Sequence, residues 1–599
     1  MKGAKRSGNK EEHMKVTRSK LEKTILNEIS AEEPWALVET FSKIVRLSGT
    51  AEERRAIDYL TGRMDALGIP YTVYEPEIFV SLPISAKLEL PGEEPIVCKT
   101  PSFSASGLLE AEVVYVPAAL AKRVDSFFDN PAEGVDVDIR GKIVMTDGIS
   151  LPKASKAFED RGAVGQIYIN PHQETTHELI ITSIWGTPTL ENIKDKPHTH
   201  VININTRTGN RLKELLEKGS SKVRITTELE EGWKKATIPV AEIRGNEEPE
   251  KFVLLHGHLD SWHYGVTDNA TGNAGKLEIA RVFNNHKDEL KRSLRVAWWS
   301  GHSHGRYAGS TWYADFKGLD LEKNCIAQVN MDSPGVKWAD KYDEMMWTAE
   351  VTDLCTSAIT DASGIVPKRL RPMRAGDYSF NNIGITSFYM LSSNISAEVK
   401  EEKGYYAVGG SGGNSAAWHN EEDVLKYADP EVLVRDIKIY AASIFRTINA
   451  TVYPFDFIRA VDESIEFVKG YQDAAGGDFD LNPVLAELSA LRQDVGRFNS
   501  AAERVAETGE LNKARVFNEA LLRLGRILIP TSYAKRQIFE HDPATEVPPF
   551  AEIAPAADLP LYEADSDERK FLLNQLVRGR NKVMLRLARA REAVASFPD

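Results

Sequence analysis

The run from Phe252 to Arg281, FVLLHGHLDSWHYGVTDNATGNAGKLEIAR, sets an apolar strand, a ligand-rich loop and a helix end to end. Phe252 to Leu255 is the short apolar run of a fully buried strand, and Gly257 opens the backbone where it stops. His258 and Asp260 follow at once, Asp268 arrives in the loop, and Thr271 to Arg281 resumes a helical pattern. Sites collect at the carboxyl ends of strands in an open α/β sheet, so this order predicts a cation site. The neutral nitrogen of His258 and the carboxylate of Asp268 are ligands that Zn²⁺ accepts. Asp260 is placed to hold the other ring nitrogen of His258 and so fix its tautomer.

The theme repeats down the chain. Leu294 to Trp299 reads as a second buried strand and ends on Ser300-Gly301-His302-Ser303-His304-Gly305, and Cys325 to Met331 reads as a third that ends on Asp332. Farther on, Gly376-Asp377-Tyr378 precedes Ile383 to Ile385, and Trp418-His419 opens into a helix over Asp429 to Phe445. His or Asp at so many successive strand ends and loops points to a metal site. His256 and His263 read as hydrogen-bonded neighbours and Trp262, Trp298 and Trp299 as packing residues. Tyr378 either packs or faces a tetrahedral intermediate.

At 599 residues and 42% hydrophobic content, the chain can bury more than one core and should divide into several domains. A net charge of -14 leaves no dominant basic face and excludes a nucleic-acid partner. Cys98, Cys325 and Cys355 are odd in number and far apart, which suits reduced thiols in the cytoplasm. The N-terminal MKGAKRSGNKEEHMKVTRSK has no apolar signal core, and no later run reaches the length of a membrane span. A cytoplasmic protein without a membrane partner is expected.

Residues 1–83 read as helices feeding an edge strand, with Ala51 to Leu67 helical, Gly68 as its stop and Tyr71 to Tyr74 alternating. From 84 to 237, short β-branched runs separated by Pro and Gly suggest an inserted mixed domain beside the site. The main sheet resumes at 238 and its domain runs to 450. Residues 451–599 carry long helical patterns over Asp456 to Tyr471, Val484 to Val505, Lys513 to Leu528 and Asp567 to Phe597. They are expected to form a bundle that also offers an oligomer interface.

The motifs resemble those of the co-catalytic zinc aminopeptidases and glutamate carboxypeptidases, with the transferrin receptor branch among them. Gly257 to Trp262, Thr267-Asp268 with Gly272, Gly309-Ser310-Thr311, Met331-Asp332 and Gly376-Asp377-Tyr378 carry the resemblance, which extends over almost the whole chain. It implies an α/β fold with three parts: a mixed-sheet zinc-peptidase domain, an inserted protease-associated β-rich domain around Gly141 to Asn170, and a C-terminal helical dimerisation-like domain. It also implies a homodimer. One metal would take His258, Asp268 and Asp332, and a second the bridging Asp268, a glutamate and His419.

Members of that family carry two adjacent glutamates after the Trp-ended strand, a general base and then a ligand, and this chain has neither. Counted back from Gly309-Ser310-Thr311, Ser303 takes the base position and His304 the ligand position. Counted on from Trp299, His302 takes the base and Ser303 the ligand. Imidazole replaces a carboxylate at a divalent metal better than a neutral serine does. That favours His304 as ligand and leaves His302 as proton carrier. Zinc is the expected metal, as one ion or two, with Mn, Fe or Co as alternatives.

Without the glutamate pair the site carries one more uncompensated positive charge. The expectation is one firmly bound metal, or an anionic substrate received by Lys368, Arg369, Arg371 or Arg374. The leading function is metal-dependent hydrolysis of a peptide or amide bond in a small-molecule or short-peptide substrate. Cleavage of another C–N bond on the same scaffold, or a non-catalytic binding role, are the alternatives. Ile385 to Met390 lacks the arginines that read a terminal glutamate, so that specificity is not implied.

Overall fold

The computed structural model describes residues 19–90, 92–117, 137–219, 222–405, 417–595 and 597. The polar N-terminal stretch read for the absence of a signal lies outside them up to residue 18. In chain order the strands are β1 (Tyr71–Tyr74), β2 (Glu77–Glu89), β3 (Ile96–Cys98), β4 (Gly107–Tyr115), β5 (Ile143–Asp147), β6 (Gly165–Ile169), β7 (His200–Ile204), β8 (Lys222–Lys235), β9 (Ile238–Ile243), β10 (Glu248–His258), β11 (Arg292–Trp299), β12 (Cys325–Asn330) and β13 (Thr386–Phe388). They form a six-stranded sheet of order β1-β9-β11-β10-β12-β13 and a seven-stranded sheet of order β3-β2-β8-β4-β5-β6-β7.

The strand predicted from Phe252 lies at the middle of the first sheet. β10 pairs in parallel with β11 on one side and β12 on the other. Successive side chains on a strand point to opposite faces, and here both faces are buried. Val253 and Leu255 enter one core with Leu294, Val296 and Trp298, while Phe252 and Leu254 enter another with Ala297 and Trp299. A continuous apolar run results, since neither face meets water. Each such side chain contributes roughly 1.5–3 kcal/mol by burial. The three parallel strands end at the same edge, which sets His258, the Ser300 turn and Asp332 side by side.

The helices flanking the sheet form where the periodicity placed them. Ala51–Ala66 is capped by the Thr50 hydroxyl, which accepts the Glu53 amide hydrogen at 3.3 Å, and it stops before Gly68 at φ +63°. Pro430–Ile448 is capped by Asp429, which accepts two amide hydrogens. β1 is the edge strand expected, antiparallel to β9 from Tyr71↔Ala241 to Tyr74↔Ile238.

The second sheet joins the first through a ribbon. β2 and β8 pair antiparallel from Glu77↔Lys235 to Glu89↔Arg224 and leave the first sheet at the β1–β9 edge. Beyond the ribbon, β4 to β7 run parallel around a separate core of Ile143, Met145, Ile167 and Ile202.

The C-terminal helices are Phe457–Ala475, Asn482–Thr508, Leu511–Tyr533 and Asp567–Ala595. Val484, Leu488, Leu491, Val495 and Phe498 recur at three- and four-residue steps and are buried, the signature of one apolar helix face. Their core is continuous with that of the first sheet through Tyr453, Phe455 and Phe457, so the bundle is packed onto the sheet rather than standing apart from it. The three cysteines are free and buried. Among the described residues no helix is long and apolar enough to cross a membrane.

Candidate metal centre

His258 is the last residue of β10 and is almost wholly buried. Its Nδ1–H donates to the Asp260 carbonyl at 2.9 Å. That bond turns Nε2 outward, 3.0 Å from Asp268 Oδ1 and 3.7 Å from Asp332 Oδ1. Among the described residues, His258, Asp268 and Asp332 offer ligand atoms that all lie within 4.8 Å of one another. Burial alone would keep His258 neutral, but the carboxylates of Asp260, Asp268 and Asp332 outweigh it and hold the imidazolium far above its ordinary range. Burial likewise raises Asp268, and its bonds to His258 and His419 reverse the balance and hold it well below the usual carboxylate range. A cavity that retains a proton among several carboxylates is one that a divalent cation fits, with release of that proton.

His419 repeats the device from the other side. Its Nδ1–H donates to the Glu178 carbonyl at 2.7 Å, which leaves Nε2 3.1 Å from Asp268 Oδ2. The Glu178 amide in turn donates to the His419 carbonyl at 2.8 Å. Glu178 lies between β6 and β7, so the inserted region orients this histidine. Asp268 therefore faces one histidine with each oxygen, the arrangement a bridging carboxylate needs.

Asp260 holds the other ring nitrogen of His258 through its carbonyl, and its carboxylate stands 3.6 Å from Nδ1. The carboxylate instead accepts the Ser48 hydroxyl at 2.5 Å and the Ser303 amide at 2.9 Å. It thereby fixes the turn after β11. In that turn the side chains diverge. His302 lies on His258, with ring centroids 3.9 Å apart and planes 17° apart, and donates from Nδ1 to Asp377 Oδ2 at 3.0 Å. Ser303 lines the same cleft.

His304 does not join the ligand group, contrary to the expectation that it replaces a glutamate. Its Nδ1 contacts the Ser48 hydroxyl at 2.8 Å and accepts the Ser48 amide hydrogen at 3.3 Å, and its ring lies against Trp262. Burial lowers its pKa to about 4. Of its two expected places, Tyr378 takes the packing one. It is fully buried with Met346, Met390 and Leu391, behind the part of the cleft wall that Met390 and Leu391 form. Tyr307 lines the cleft instead, packed edge-on against His302 and accepting the Gly376 amide hydrogen at 3.0 Å.

Of the basic residues before Gly376, Arg369 and Arg371 both pair with Glu463 of the C-terminal helices, and Lys368 is exposed. Arg374 alone among them lines the cleft. His256 is a hydrogen-bonded core neighbour, accepting from Trp299 Nε1 at 3.1 Å and meeting Gln328 Oε1 at 2.8 Å. His263 pairs with Glu178 at 2.5 Å.

Two supporting residues went unread in the sequence. The Asn269 side chain donates to the His258 carbonyl at 3.3 Å and the Met331 carbonyl at 3.0 Å and accepts the Ser333 amide hydrogen at 3.1 Å, tying the ends of β10 and β12 together. Arg46, fully buried, donates to the carbonyls of Phe41, Ile44, Leu259, Tyr264 and Gly265 and so clamps the ligand loop. Both act through main-chain groups, which leave no residue pattern.

Residues 240–444 match Peptidase family M28. The chain is 25% identical over 276 residues to leucine aminopeptidase 2 of Arthroderma otae, covering 45% of this chain and 50% of that protein. It is 25% identical over 221 residues to a glutamate carboxypeptidase 2 homologue of Caenorhabditis elegans, covering 34% of this chain and 27% of that one. The chain thus spans about half or less of the length of these curated relatives. In fold it is similar to a zinc aminopeptidase of Bacillus subtilis, with a TM-score of 0.52 at 18% identity over 70% of this chain and 96% of that one.

Proposed function

We propose, from the match of residues 240–444 to Peptidase family M28, that this chain is a metal-dependent hydrolase of peptide or amide bonds acting on a small-molecule or short-peptide substrate. The observation that carries the reading is the convergence of His258, Asp268 and Asp332 from separate strand ends, with His419 on the second oxygen of Asp268. Zinc, named for the similar Bacillus subtilis enzyme, suits this mixed nitrogen and oxygen donor set. His258, Asp268 and Asp332 would hold one ion, and Asp268 with His419 would offer part of a second position.

A bound divalent cation supplies Lewis acidity and lowers the pKa of water. His302 supplies the proton transfer. Its Nδ1–H is committed to Asp377, so Nε2 is the nitrogen free to take a proton. Asp377 is fixed by the Ser310 hydroxyl at 2.9 Å and keeps the imidazole oriented. Burial raises Asp377, but the adjacent His302 outweighs it and holds the carboxylate below its usual range. In this reading His302 takes the base position and neutral Ser303 the ligand position, so the second metal position lacks a carboxylate. An anionic group on the substrate would then complete the charge. The missing glutamate pair also keeps open cleavage of a C–N bond other than a peptide.

We further read 84–237 as a protease-associated insertion, the C-terminal helices as a homodimer interface, and the cytoplasm as the location. The test of function is turnover of aminoacyl and acidic dipeptide amides by zinc-loaded protein with and without chelator. Chelator-sensitive turnover is expected, and metal binding without any amide or peptide turnover would overturn the peptidase reading.

A further inference from the structure

The cleft holds two guanidinium groups that the proposed chemistry does not use. Arg306 and Arg374 both line it, among the apolar side chains of Leu151, Leu179, Ile180 and Leu391. Arg374 is only 6% exposed, with its plane 3.6 Å from the Trp185 ring centroid. Its three hydrogen bonds go to the carbonyls of Tyr378 at 3.2 Å, Asp542 at 2.5 Å and Pro543 at 3.4 Å. Arg306 has less. Its Nε is buried without a hydrogen-bond partner, and its contact is the Tyr307 ring, with the guanidinium carbon 5.1 Å from the centroid. Among the described residues neither arginine forms an ion pair.

Three fully or nearly fully buried arginines elsewhere are anchored by anions or carbonyls. Arg292 pairs with Glu248 at 2.7 Å and Arg446 with Glu22 at 2.7 Å. Arg46 has no such ion pair but makes five carbonyl bonds. Arg306 differs from these in being a half-buried cation with one buried idle donor, Nε, and among the described residues no ion pair, beside a second cation. Burial outweighs the pull of Asp542 and Tyr307 and, with the like charge of Arg306 acting in the same direction, lowers Arg374 to about 10. Leaving the buried Arg374 guanidinium without an anion and the buried Nε of Arg306 without an acceptor is costly, and a planar oxyanion is the partner their fork geometry fits. The backbone of Arg306 has φ +49°, an uncommon conformation for a long side chain.

We propose that Arg306, with Arg374 beside it, is the specificity residue that receives a carboxylate carried on an apolar-bodied substrate. This rests on reading the adjoining centre as a hydrolase site, and it names the substrate class of that site. The probes are 4-phenylbutanoate and its uncharged amide, 4-phenylbutanamide, titrated calorimetrically into the full chain with zinc and after chelator treatment. The carboxylate should bind at least tenfold tighter than the amide in both forms, and Arg306→Gln should abolish that preference while Arg306→Lys retains part of it. Equal affinities in the wild-type chain, no binding of the carboxylate by metal-free protein, or a preference unchanged in Arg306→Gln each overturn the assignment. A preference that vanishes with the metal places the carboxylate on the cation and overturns it as well. The wild-type comparison needs no variant to fold. A metal-independent preference in a protein that hydrolyses no amide leaves this subsite standing while the hydrolase reading falls.

Discussion

The His302 imidazole lies flat against that of His258, 3.9 Å between centroids, and its Nδ1 is spent on Asp377. One ring is thus directed at the carboxylates and the other at the cleft, the division that the proposed roles of ligand and proton carrier require.

That division predicts separable phenotypes. His302→Ala should leave zinc content unchanged by elemental analysis while lowering kcat by roughly 10²–10⁴-fold, the usual worth of a positioned acid–base group. His258→Ala should lose the metal itself. Equal metal loss in both variants would refute the assignment of His302.

His304→Ala should behave as a core variant. The Ser48 amide and hydroxyl both meet His304 Nδ1, and removing a buried partner costs about 1–3 kcal/mol. The expected result is a lower urea midpoint with metal content intact, so metal loss from a folded His304→Ala protein would restore it as a ligand.

Gly272→Ala should weaken metal binding without touching a ligand. A Cβ there would lie 2.0 Å from Asn269 Oδ1, displacing the side chain that ties the ends of β10 and β12. A fall in zinc affinity of about 10–100-fold, the scale for groups that orient ligands, is the expected titration result.

The pH dependence of stability follows from His256. Burial lowers its pKa in the folded protein to about 4, against the pull of Asp377 and Gln328, while the unfolded chain keeps an ordinary value near 6.5. A depressed histidine makes the unfolded state bind more protons between those values, so stability is complete above about pH 6.5 and falls as pH drops toward 4. The full effect is on the order of 3 kcal/mol. Urea midpoints of wild type and His256→Gln should diverge most at neutral pH and converge toward pH 4.

Much of this was legible because it is written locally. β10 shows an apolar run, the helix over Ala51–Ala66 shows period and stop, and His258, Asp268 and Asp332 follow strands in order. The turn Ser300 to Gly305 was not legible. That His302 and Ser303 face the cleft while His304 turns away follows from a turn pinned by the Asp260 carboxylate accepting the Ser303 amide, a contact across 43 residues that no spacing encodes. Tyr307 in the cleft wall was not legible for a similar reason, since its hydroxyl is anchored by the amide of distant Gly376. Arg369 and Arg371 were read as anion receivers because Glu463, their partner, is remote in sequence.

The ribbon of β2 and β8 leaves the first sheet at one edge, but Glu178 at the far end of that excursion returns to clasp His419 through a reciprocal pair of main-chain and ring bonds. The excursion is therefore a structural member of the centre rather than an ornament hung from its rim. The seat of the second sheet and the orientation of one candidate ligand are thus coupled through a single residue, Glu178.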